Sequence, residues 1–95
     1  MSIEEFKQSL SLPAPPSDFS LHKQALWFAG RGDWENAHQI IQEMNDDFSS
    51  RIHAFLHRQE GDLSNAAFWY SKSGTPIPLM TIHQEWEELF LSIHT

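Results

Sequence analysis

Gly32-Asp33-Trp34-Glu35-Asn36-Ala37 and Gly61-Asp62-Leu63-Ser64-Asn65-Ala66 are two copies of one pattern, separated by 29 positions, with Ala25 and Ala54 in register upstream of them. Each residue of the pattern has a physical task. Glycine ends a helix because it tolerates positive φ, and the aspartate after it accepts a backbone N–H at the start of the next helix. The alanine four positions later is small enough to let two helices cross closely. A repeated helix-Gly-Asp-helix unit predicts two helical hairpins, over about residues 18–45 and 46–74.

Reading outward from this pair extends the helices in both directions. Ser17 or Asp18 caps a helix carrying Phe19, Leu21, Leu26, Trp27 and Phe28, which ends at Gly30-Arg31-Gly32. After Asp33, the residues Trp34, Ala37, Ile40, Ile41 and Met44 recur at three- and four-residue steps, the spacing of one buried helical stripe. Asn45-Asp46-Asp47 offers the next cap, for a helix from about Phe48 to Glu60 with Ile52, Phe55 and Leu56 inward. Asp62 caps a fifth helix that runs to Gly74, and Thr75-Pro76-Ile77-Pro78 then forces a turn. A last helix carries Ile82, Trp86, Leu89, Phe90 and Ile93 on one stripe. At the other end, Ser2 with Glu5 forms a capping box for a short peripheral helix over about residues 3–10. The run Leu12-Pro13-Ala14-Pro15-Pro16 cannot be helical and serves as an extended strap. The expected organisation is a short helix and Pro-rich strap over residues 1–16, then a helical domain over residues 17–95.

Composition agrees with an all-α class. The 95 residues include no Val and little Thr, while Leu, Ala, Glu and Gln are common; seven Phe and four Trp supply the apolar area. The formal charge of −7 repels phosphate backbones, so nucleic acid is excluded as an expected partner. The lack of Cys removes disulfides, thiolate ligands and a Cys nucleophile, and fits a reducing compartment. The acidic start lacks the features of a signal peptide and no apolar run is long enough to span a bilayer, so the expected location is cytoplasmic, with no membrane partner.

The second unit resembles the tetratricopeptide repeat. Gly61, Leu63, Ala66, Tyr70 and Pro78 fall where that family places Gly, an aromatic, Ala, an aromatic and Pro. The run from His53 to Asp62, followed by Asn65, Ala66, Phe68, Trp69 and Tyr70, is also similar to an uncharacterised group of small proteins with this fold. The resemblance covers roughly residues 18–80 and implies a helical repeat that binds a protein or peptide segment on a concave face. Two departures stand out. The repeat offset is shorter than the family's usual length of about 34 residues, and His53, His57 and Gln24 occupy positions that the family fills with apolar residues.

Those histidines head the candidate ligand-binding set: His38, His53, His57, Arg58, Glu60 and Trp69. His53 and His57 lie i, i+4 on one helix face with Glu60 a turn on, and His38 is on the preceding helix. Two such imidazoles with a third ligand can share a divalent metal, or they can be hydrogen-bonded packing residues. Between them stands Ala54-Phe55-Leu56, without the Glu of the zinc-protease motif. Arg58 could pair with Glu60 or Asp62 or clamp a ligand carboxylate. The aromatics Trp27, Trp34, Trp69, Tyr70 and Trp86 read as core, with a recognition groove as the other reading. With no complete catalytic motif present, the expectation is a non-enzymatic binding module without catalytic residue, metal or cofactor. A small metal-dependent or acid-base enzyme centred on the His/Glu cluster is the alternative. A homo-oligomer is also possible, through a last helix that sets Glu85, Glu87 and Glu88 opposite Trp86, Leu89 and Phe90.

Overall fold

Local capping chemistry sets the helix boundaries. The computed structural model describes residues 1–93, which form six helices and, among the described residues, no strand. They are α1 (Ile3–Ser9), α2 (Leu21–Gly30), α3 (Trp34–Gln42), α4 (Asp47–Glu60), α5 (Leu63–Ser73) and α6 (Ile82–Leu91). In every one, a Ser, Asp or Thr side chain accepts a backbone N–H from the first turn, and Ser2–Glu5 and Thr81–Gln84 close reciprocal capping boxes.

The two halves of the repeated pattern adopt one turn geometry. Gly32 and Gly61 have φ of 75° and 89°. Asp33 and Asp62 then donate their backbone N–H to Phe28 and His57 carbonyls, both at 2.9 Å, while their carboxylates cap Asn36 and Asn65 at 3.3 Å. Ala37 and Ala66 are buried as expected, α2 packs on α3, and α4 packs most extensively on α5. Helix α4 also touches α2, α3 and α6, which makes it the central element.

Several expectations are corrected. The second helix begins at Leu21 with Ser20 as its cap, because Ser17 and Asp18 form a turn in which the Phe19 N–H bonds the Pro16 carbonyl at 3.1 Å. Phe19 is buried but lies before the helix, and Met44 and Ile93 lie beyond the ends of α3 and α6. Helix α1 is not peripheral. Its Phe6 is fully buried and stacks on Phe90 at 4.3 Å and on Trp86 at 5.3 Å between ring centroids. The junction of α1 with the strap is pinned as well: Trp27 donates its indole N–H to the Ser9 carbonyl at 2.9 Å, and Arg31 bonds the Leu10 carbonyl and that of Leu12, the first strap residue.

The last helix departs from its expected role too. Trp86, Leu89 and Phe90 are buried within the chain, so they do not form an exposed apolar stripe for self-association. Glu85, read as a solvent-facing acid, is only 1% exposed. It accepts the Tyr70 hydroxyl at 2.7 and 2.8 Å and an Arg58 N–H at 2.8 Å, a clasp that joins α4, α5 and α6. Arg58 also donates to the Met80 carbonyl. No helix among the described residues is long and apolar enough to cross a membrane.

Candidate functional site

The i, i+4 spacing on α4 places His53 and His57 over one another, and α3 crosses α4 so that His38 meets them. The Nε2 atoms of His38 and His53 are 3.1 Å apart, and one nitrogen from each of the three rings lies within 4.8 Å of the others. His53 and His57 are buried, whereas His38 is half-buried. The rings are held by flat neighbours. Trp34 stacks on His38 at 4.6 Å and Trp69 on His53 at 3.9 Å, with interplanar angles of 10° and 13°. Trp34 is itself anchored by its indole N–H to the Leu56 carbonyl.

Glu60 accepts from His57 Nδ1 at 2.7 Å, so in the neutral form of this ring the proton sits on Nδ1 and the lone pair on Nε2. Burial, followed by the charges of His38, His57 and Lys72, pushes His53 down to about 4. His38 is also lowered, mainly by burial and then by His57, against the opposing pull of Glu60 and Glu35. At near-neutral pH both are therefore neutral imidazoles, and across their Nε2–Nε2 contact one donates its N–H while the other accepts.

Of the candidate set, His38, His53, His57, Glu60 and Trp69 converge. Arg58 does not. It pairs with neither Glu60 nor Asp62, because the buried carboxylate of Glu85 offers a stronger partner on the other side of α4. Trp27, Tyr70 and Trp86 are core, as read, while Trp34 and Trp69 are half-buried and flank the imidazoles.

A second feature was not legible as a site. Lys7 and Leu10 from the first helix and its end, Ala29 and Gly30 from α2, Phe55 and Gln59 from α4, and Ile82, His83 and Trp86 from α6 enclose an open cavity of about 560 Å³. Gly30 approaches Trp86 so closely that an added Cβ would lie 2.7 Å from the indole ring. Only the apolar stripes of these helices could have pointed to the cavity, and a stripe does not say how much of itself stays open. A third polar set, His22 with Asp46 and Ser49, was also missed. His22 Nε2 lies 3.0 Å from Asp46 and 2.9 Å from the Ser49 hydroxyl, but that hydroxyl is buried and donates to Asp46 at 2.5 Å. Its proton is committed to a helix cap, so this set does not activate a nucleophile.

Compared with protein-family models, with curated proteins and with solved structures, the chain gives no match.

Proposed function

We propose that this chain is a non-enzymatic helical-repeat module of tetratricopeptide type that binds an amphipathic protein segment in the groove between α2, α4 and α6. The supporting observation is the apolar cavity of about 560 Å³, a size at which ligand sites are common. Helices α2, α4 and α6 are in mutual contact, which supports reading them as the inner helices of stacked hairpins that share one concave face. The occupant's chemistry is suggested by α1, an amphipathic helix that already lies against this side and inserts Phe6 against Trp86 and Phe90. A partner helix with an aromatic or aliphatic anchor fits the space that α1 leaves beside it. The charge of −7 favours a basic polar face on that partner and disfavours nucleic acid.

The test uses the full chain and a fluorescently labelled synthetic helix with a Leu/Phe face and a Lys-rich face, read by anisotropy. Binding should weaken about tenfold or more when the half-open groove wall is charged by Ile82→Glu, corresponding to roughly 1.4 kcal/mol. Leu63→Glu, on the exposed face of α5, adds the same charge elsewhere and should leave affinity within about twofold, a difference of roughly 0.4 kcal/mol. Equal weakening by both variants would reduce the interaction to net charge and refute the groove. Sedimentation over a range of concentrations distinguishes a second copy of the chain as the occupant.

A further inference from the structure

We propose that His38, His53 and His57 form a binding site for one divalent transition-metal ion of the imidazole-preferring kind, such as zinc, nickel, copper or cobalt. This site is separate from the groove, since His53 and His57 occupy a different face of α4 from the groove residues Phe55 and Gln59.

Geometry carries the inference. A tetrahedral ion with metal–nitrogen bonds of about 2.0–2.1 Å holds its ligand nitrogens roughly 3.3 Å apart. His38 and His53 already present Nε2 atoms at 3.1 Å, and all three rings supply a nitrogen within 4.8 Å. As a hydrogen-bonded pair, His38 and His53 use only one nitrogen each and leave His57 outside the bond. As ligands, all three are used. The contact from Glu60 to His57 Nδ1 at 2.7 Å is the carboxylate–histidine arrangement that fixes a ligating imidazole's tautomer and raises its basicity. Trp34 and Trp69 restrain two of the three ring planes, which lowers the ordering cost of binding.

The donor set narrows the ion. Three nitrogens and no sulfur suit borderline metals and do not suit calcium or magnesium, which take oxygen ligands. A fourth position remains for water or another donor. Because His38 is on α3 and the other two are on α4, the ion would cross-link the last helix of the first hairpin to the first helix of the second. Binding would therefore raise thermal stability, since such a site is absent from the unfolded chain.

The test titrates the full chain with cobalt(II) and follows the visible ligand-field bands, with calorimetry for zinc(II). The expected result is one ion per chain with the intense bands of four-coordinate cobalt and a higher melting temperature. His38→Gln, at the half-buried member of the set, should weaken binding about a hundredfold while circular dichroism shows the fold intact. Glu60→Gln should weaken it about tenfold or more, the usual cost of losing an outer-shell partner. His22→Gln and His83→Gln, away from the cluster, should bind as the wild type does. Asp62→Asn keeps the helix cap and should also bind normally; a loss there would move the ion to the His57, Glu60 and Asp62 side and overturn the assignment. No saturable binding, or equal affinity in His38→Gln, would assign the imidazoles to packing alone.

Discussion

Acidification of the metal-free protein should remove stability through His53. The side chain is 6% exposed, and its titration is pushed from the ordinary 6.5 down to about 4, first by burial and then by the positive charges of His38, His57 and Lys72. Glu60, on the same helix, faces His57 and pulls the other way on His38. In the unfolded chain His53 takes up its proton near 6.5; in the folded chain it resists until about 4. The stabilisation is thus complete above 6.5, is lost as pH falls through that window, and levels off below the folded value. Taking roughly 1.4 kcal/mol for each tenfold preference, the loss between about pH 7 and pH 5 is roughly 2 kcal/mol. Urea unfolding across that range, with a chelator present, measures it as a shift in midpoint at constant slope. The variant His53→Gln starts from lower stability but lacks the titration, so its pH curve should be flatter by about the same amount. Parallel curves for wild type and variant would refute the assignment of the effect to this imidazole.

Glu85→Ala strands the buried Tyr70 hydroxyl and the Arg58 guanidinium together, and should cost roughly 3 kcal/mol in chemical denaturation. A loss under about 1 kcal/mol would mean that the clasp is dispensable. Ala37→Leu and Ala66→Leu each insert bulk at a buried position, and should cost about 1–3 kcal/mol; wild-type melting of both would contradict the close crossings. Asp33→Ala and Asp62→Ala remove equivalent caps and should each cost about 0.5–2 kcal/mol. Unchanged denaturant midpoints in both would show that these carboxylates are merely solvated.

What could be read from the sequence was local. Asp33, Asp62, Gly61 and the Ser2–Glu5 box act on neighbours within a turn, so their residue types identify the helix ends directly; the Thr81–Gln84 box is equally local but was not read. Ser20 was missed because Ser17 and Asp18 are equally good caps, and only the turn after Pro16 decides among them. Phe6 gives no local sign of burial; its partners Trp86 and Phe90 lie at the far end of the chain. Glu85 sits in an acidic run that reads as solvated. Its helical phase nonetheless turns it toward Tyr70 and Arg58, partners 15 and 27 residues away. In the histidine set, the pair on α4 was visible through its spacing. The meeting with His38 depended on the α3–α4 crossing, and the direction of Arg58 on the burial of Glu85. The groove is a property of packing between four helices and has no counterpart in any single stripe.

The claim that the α2–α4–α6 groove is the binding face is tested most directly by amide and indole chemical-shift mapping on the full chain during titration with the amphipathic helix. The account predicts saturable shifts concentrated at Ala29, Phe55, Gln59, Ile82 and the Trp86 indole N–H, all at or beside the cavity. Shifts centred on the exposed Leu63 and Phe68 of α5, or no saturable shifts at all, would contradict it.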